Sequence, residues 1–148
     1  MEGGNMNQTG LILVSHGEFA KAALASAEMI AGKQENVIAL GLKEDTSLET
    51  MEKEVCNAYE TLHDQCSDVI ILCDIYGGTP FNAISRNMLR GMDVLAFTGL
   101  NLPLLIDLLL CRDIAHEDIT DRVMTTHQMA CQKITVSFDN NEEEELDL

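Results

Sequence analysis

Hydrophobic and polar positions alternate along this chain in blocks of two kinds. Gly10 to Ser15 (GLILVS) is an unbroken apolar run, the pattern of a short strand buried on both faces. Glu18 to Ala31 follows with alanine-rich, helix-favouring composition, and Gly32 stands where such a helix stops. Asn36 to Leu42 (NVIALGL) predicts a second strand. Leu48, Met51, Val55, Tyr59 and Leu62 then recur at spacings of three and four, which puts them on one face of an amphipathic helix. Thr46 or Ser47 suits its cap.

Asp68 to Cys73 (DVIILC) predicts the third strand. The segment Asp74-Ile75-Tyr76-Gly77-Gly78-Thr79-Pro80 turns the chain into a helix running to about Arg90. Thr79 has the chemistry of an N-cap, and Pro80 that of a first helical residue. Asp93 to Thr98 reads as a fourth strand, Pro103 to Leu110 as a short apolar helix, and Thr120 to Cys131 as another helix. Gln132 to Phe138 differs: Ile134, Val136 and Phe138 alternate with polar residues, as in a half-exposed strand. No internal repeat is present.

Four strand–helix alternations predict an α/β fold with a mostly parallel sheet covered on both faces. The last strand is expected at an edge, antiparallel or paired with another subunit. A length of 148 residues suits one domain, read here as residues 9–138 between an N-terminal extension (1–8) and an acidic tail (139–148).

Composition narrows the partners. With 25 Asp+Glu against 9 Lys+Arg the net charge is −16, much of it in the run from Asn140 to Leu148 (NNEEEELDL). Such a chain repels nucleic acid and anionic lipid, whose binding requires cations to displace counterions. The longest greasy stretch, Leu102 to Cys111, is broken by Pro103 and Asp107 and is too short to span a membrane. The first residues, MEGGNMNQ, lack the basic and apolar regions of a secretory signal, so a cytoplasmic location is expected. The five cysteines, Cys56, Cys66, Cys73, Cys111 and Cys131, show no C-x-x-C pair and are expected as free, mostly buried thiols. His63, His116 and His127 lack ligand spacing to them, so no metal site and no cofactor is expected.

In an open parallel sheet, ligands bind beyond the carboxyl ends of the strands where the strand order reverses. The first strand runs into Ser15-His16-Gly17-Glu18, and the third into Asp74 and the Gly-Gly-Thr-Pro turn. With strand order 2-1-3-4, His16 and Asp74 emerge side by side. A carboxylate beside an imidazole fixes its tautomer and frees the other ring nitrogen. The Gly77-Gly78-Thr79 turn lets backbone N–H groups approach an anion at a helix N-terminus. Together these residues make a site that accepts a phosphoryl group on histidine. Taken singly, each has a plain structural reading: His16 and Asp74 as turn residues, Gly77 and Gly78 as a positive-φ turn, Glu18 as part of a first helical turn.

The segments LILVSHGEFAKAAL, DIYGGTPFNAISR and GLNLPLL, in that order and at those separations, resemble the IIA component of mannose-family sugar phosphotransferase systems. The likeness extends over about Thr9 to Phe138, and the D-x-aromatic-G-G-[ST]-P-F-N-A element carries most of its specificity. The resemblance implies that His16 takes a phosphoryl group from the phosphocarrier protein HPr and passes it to a IIB component. It implies that Asp74 orients His16 and that Gly78 and Thr79 contact the phosphoryl group. It further implies a dimer that exchanges an antiparallel strand, for which Gln132 to Phe138 is the candidate. A separate IIB chain is the expected partner, and membrane contact is expected only through the transporter components, which select the sugar.

Two other classes of function are possible on the residues alone. Ser-His-Gly-Glu is superficially like the Arg-His-Gly-Glu of histidine phosphatases and phosphomutases. Ser15 stands where those enzymes need a phosphate-clamping arginine, and none of Arg86, Arg90, Arg112 and Arg122 is near His16 in sequence. A regulatory or flavin-binding sheet domain is the non-enzymatic alternative. An aromatic content of 4% with no Trp disfavours flavin stacking. G-x-S-x-G, G-x-G-x-x-G and the G-x-x-x-x-G-K-[ST] loop are all absent, which disfavours serine hydrolases and nucleotide binding.

Overall fold

The computed structural model describes residues 8–138. Most of the extension read over 1–8, and the acidic tail, lie outside the described residues. Four strands form one parallel sheet: β1 (Thr9–His16), β2 (Val37–Leu42), β3 (Asp68–Cys73) and β4 (Leu95–Thr98). Their order is β2-β1-β3-β4, so β1 and β3 lie side by side in the middle where the order reverses. Five α-helices connect or follow them: α1 (Phe19–Ala31), α2 (Leu48–His63), α3 (Gly78–Leu89), α4 (Leu102–Leu109) and α5 (Ile119–Met129). A 3₁₀ turn, His116–Asp118, leads into α5.

The unbroken apolar runs follow from two cores. Leu11, Leu13, Ile70 and Leu72 face Ala20 and Ala27 of α1, the leucines of α4, and Ile119 and Val123 of α5. Ile12, Val14, Val69 and Ile71 face Met51, Val55, Ala58 and Leu62 of α2, with Ala83 and Ile84 of α3. Successive residues of β1 and β3 thus feed opposite cores, as the period of two requires, and neither strand has a polar face. Each buried Leu or Ile contributes about 1.5–3 kcal/mol of transfer free energy. The edge strands β2 and β4 are only half-buried. Placing α1 on one face and α2 and α3 on the other keeps every crossover right-handed while the chain steps outward to β2 and returns past β1.

The helix boundaries show which local signals dominate. Of the two candidates, Ser47 caps α2 by accepting the Thr50 N–H, and Asn101 caps α4 by accepting that of Leu104. The Thr79 cap is corrected: α3 begins at Gly78 after Gly77, and no side chain caps it. Two glycines with φ near +90° bring the chain directly into the helix, leaving Thr79 and Pro80 inside the first turn. Glu18 sits just before α1 and makes no cap hydrogen bond. The strand expected over Gln132 to Phe138 as one exchanged with another subunit is not tested by a single chain: within it residues 131–138 form no ladder, and Phe138 is 98% exposed. Of the thiols only Cys66 and Cys73 are buried, while Cys56 and Cys111 are intermediate and Cys131 is exposed. Among the described residues no helix is long and apolar enough to cross a membrane.

At the amino ends of the strands the sheet is closed by Arg112, only 9% exposed. Its Nε and Nη2 donate to the Thr9 carbonyl at 2.9 and 2.7 Å, Nη2 also reaches Asn36 O, and Nη1 reaches Gln34 Oε1. One guanidinium therefore ties the starts of β1 and β2 to the loop after α4. Arg112→Ala leaves these carbonyls without their donor, and we expect a loss of about 2–3 kcal/mol of stability, measured by urea unfolding.

Candidate active site

The parallel register sets the site. Val14 of β1 is level with Cys73 of β3, so each strand leaves the sheet beside the other and Asp74 follows directly. The Asp74 N–H donates to Val14 O at 3.1 Å, extending the ladder by one rung. Asp74 Oδ2 then accepts two hydrogen bonds from a single residue: the His16 backbone N–H at 2.9 Å and His16 Nδ1 at 2.8 Å. Its Oδ1 accepts the Ile75 N–H at 2.9 Å. The carboxylate side chain is 11% exposed and the imidazole 46%.

Burial works to raise the Asp74 carboxyl, but the bonds from His16 and Ile75 outweigh it and hold the group below the ordinary 3.8. At neutral pH Asp74 is therefore ionised and can only accept, so Nδ1 of His16 carries the proton. In neutral His16 the lone pair then lies on Nε2. That nitrogen faces the glycine turn: a Cβ built on Gly78 would stand 3.4 Å from both Cε1 and Nε2 of His16. Gly78 opens the 12-residue helix α3, whose first-turn N–H groups and dipole favour an anion. The neighbouring Cys73 thiol is no rival nucleophile. Burial first, and then the charge of Asp74, push it up to about 12.

His16, Asp74 and Gly78 thus meet. Gly77 adjoins them with φ +91°, and Thr79 lies half-buried in the first turn of α3 without a hydrogen bond to His16. The other histidines are elsewhere: His63 stacks on Tyr59, His116 pairs with Asp68, and His127 lies by Asn101. All four arginines are engaged away from His16. Arg86 and Arg90 grip Glu52, Arg122 grips Asp107, and Arg112 closes the far end of the sheet. A hollow of about 580 Å³ between α2 and α3 is lined by Glu52, Cys56 and Arg90, among others, and contains none of the site residues.

The family described as "PTS system fructose IIA component" (EIIA-man) matches residues 10–126, which span every element of this site. The chain belongs to that family. It is a IIA component of a sugar phosphotransferase system. It is 28% identical over 123 residues to the fructose-specific EIIA component of Bacillus subtilis, covering 82% of this chain and 84% of that protein. It is 35% identical over 103 residues to the mannose-specific EIIAB component of Escherichia coli, covering 70% of this chain and only 32% of that longer protein. The crystal structure of a PTS IIA protein associated with the fucose utilization operon of Streptococcus pneumoniae superposes with a TM-score of 0.78. There the identity is 28%, with 99% of this chain and 100% of that one covered.

Two residues of this IIA component escape a motif-based reading. Ser15 is fully buried, and its Oγ accepts the Ala20 N–H of α1 at 2.8 Å while donating to His16 O at 3.0 Å. Gly41 of β2 lies so close to the turn that a Cβ there would meet Gly17 O at 2.1 Å. The Gly17 N–H in turn donates to Leu42 O at 2.8 Å. The only sequence signals were a polar residue ending a buried strand and a glycine inside another.

Gly78→Ala tests the close approach. At φ +89° an L-residue is strained by about 1–2 kcal/mol, and the added methyl would cover Nε2. We expect slower modification of His16 by diethyl pyrocarbonate, read by peptide mapping, with His63 and His116 modified at unchanged rates.

Proposed function

We propose that His16 accepts a phosphoryl group from phosphorylated HPr and passes it to a IIB component during sugar uptake. The observation that carries this reading is the Nδ1–Asp74 hydrogen bond, which leaves the Nε2 lone pair free beside Gly78. In the forward step Nε2 attacks phosphorus as the N–P bond of the donor breaks. The proton stays on Nδ1, and the positive charge that develops on the ring is stabilised by the Asp74 carboxylate. The phosphoryl oxygens lie against the Gly77-Gly78-Thr79 turn, where backbone N–H groups and the α3 dipole offset their charge. The return step repeats this with a histidine of IIB as the acceptor.

Transfer between proteins requires an open surface, and the site has one. Ile75 and Tyr76 follow Asp74 and are exposed, Tyr76 by 80%, with its ring held against Phe81 at a centroid distance of 4.3 Å. The commitment of all four arginines elsewhere favours transfer over hydrolysis, since no guanidinium stands by to clamp a phosphoester. The chain spans about a third of the E. coli EIIAB relative, so a IIB unit outside these residues is the second partner in this reading. Its working location in this reading is the cytoplasm, and the net charge of −16 disfavours nucleic acid as a partner.

The same reading includes a homodimer that exchanges residues 132–138. Edge strand β4 is flanked by hollows of about 240 and 360 Å³, floored by Phe97 and Thr98. Ile134, Val136 and Phe138, all exposed in the single chain, supply alternating apolar side chains to such an edge.

Incubation with phosphoenolpyruvate, enzyme I and HPr should place an acid-labile phosphate on His16. His16→Ala should take none, and Asp74→Asn should keep its circular dichroism while transfer slows by about 10²–10⁴-fold. Wild-type protein without label would reject the function, and an undiminished rate in Asp74→Asn would reduce Asp74 to a turn residue. Sedimentation equilibrium should return twice the 16.3 kDa chain mass, falling to one chain in Val136→Lys. A wild-type monomer at micromolar concentration would exclude the exchanged strand.

A further inference from the structure

Both polar groups of the His16 main chain are held by side chains. The N–H donates to Asp74 Oδ2, and the carbonyl accepts the hydroxyl of Ser15. The same hydroxyl oxygen receives the Ala20 N–H, so one buried atom joins the end of β1 to the first turn of α1. Glu18, the residue at the cap position of α1, contributes no side-chain hydrogen bond there. Ser15 thus does the work of a cap from three residues further back, and its bond passes through His16. Strand alternation sends the Ser15 side chain inward, fully buried, while the His16 ring points out with half its surface open. Ser15 is therefore within reach of His16 through the backbone and out of reach of anything bound at Nε2.

We propose that Ser15 is a positioning residue for His16: its hydroxyl fixes the peptide from which the imidazole projects, and so sets Nδ1 on Asp74 and Nε2 toward Gly78. This rests on the reading of His16 as the phosphoryl acceptor. The geometry requires it because Asp74 Oδ2 receives the backbone N–H and Nδ1 of the same residue within 0.1 Å of equal length, at 2.9 and 2.8 Å. Both bonds are kept only while the His16 peptide holds its orientation. Without the Ser15 hydroxyl the Ala20 N–H is buried without an acceptor, and the turn reorganises to reach one. The ring then moves relative to the carboxylate, and a displacement of about 1 Å is enough to cost on the order of 10²-fold in transfer.

Three variants and three readouts decide the matter. In Ser15→Ala we expect the imidazole ¹⁵N spectrum of His16 to lose its clean Nδ1–H tautomer signature and the rate of phosphoryl acceptance from HPr to fall by about 10–100-fold. Ser15→Thr keeps the hydroxyl and should return both toward wild type. Gly10→Ala is the stability control, because its Cβ would press on Cys66 Sγ at 3.0 Å at the other end of the same strand. It should lower Tm while leaving the His16 spectrum and rate alone. The proposal is overturned if Ser15→Ala changes Tm only, if Thr fails to restore the ring signature, or if Gly10→Ala slows transfer as much. Should Ser15→Ala fail to fold, Ser15→Cys, of similar size but a poor hydrogen-bonding group, carries the same spectral test. A wild-type protein that takes no label refutes the phosphoryl-acceptor reading alone, since the ¹⁵N spectra report the positioning without any transfer.

Discussion

One oxygen organises the reactive end of this molecule. Asp74 Oδ2 accepts the backbone N–H and the ring Nδ1–H of His16, which ties the end of β3 to the end of β1 and selects the tautomer at once. The parallel pairing of β1 with β3 brings Asp74 to within one residue of the level of His16, and the reversal of strand order at that pair leaves the ends of both strands open. The Ile75 N–H on the second carboxylate oxygen completes the anchoring, and together these bonds overcome the tendency of burial to protonate the group. An ionised, immobile carboxylate is what gives the free nitrogen of His16 its direction.

The net charge is −16, and the fold commits its four arginines away from His16. Burial alone would raise the Glu52 carboxyl, yet Arg90 and Arg86 bind it and hold it below the ordinary carboxylate range. Arg112 is spent on backbone carbonyls and Arg122 on Asp107. What faces Nε2 is the glycine-lined start of α3, whose first turn has no capping side chain to occupy its N–H groups. For the proposed phosphoryl transfer a cradle of dipoles is suited to a group that must leave again, because it stabilises an anion without the bidentate grip of a guanidinium.

Much of this was legible in the chain. The periods of the apolar runs located all four strands, Asp68–Cys73 to the residue, and the amphipathic spacing from Leu48 to Leu62 located α2 with its Ser47 cap. The motif around Asp74 and the S-H-G segment identified the pair that meets in space. The misreadings have physical causes. Thr79 has the chemistry of a cap, but two preceding glycines admit positive φ and start the helix two residues early. Alternation at Ile134, Val136 and Phe138 is no misreading of this kind: it expresses a preference for an edge, which a single chain does not test. Cys131 sits just past the end of α5, exposed, where composition could not separate it from Cys66 or Cys73.

What the sequence determined by itself is local: which segments bury both faces, where helices start and stop, and which chemical groups stand at strand ends. These follow from side-chain period and backbone preference, which act over a few residues. The tertiary structure decided which of those groups touch. The Ser15 hydroxyl on His16, the absent Cβ of Gly41 against Gly17, the approach of Gly78 to Nε2 and the closure by Arg112 arise from strand register and crossover. These contacts join residues up to 103 positions apart, and no periodicity encodes a meeting at that distance. Only the burial of both faces of β1 and β3, shared among five helices, holds the strands in the register that makes the site.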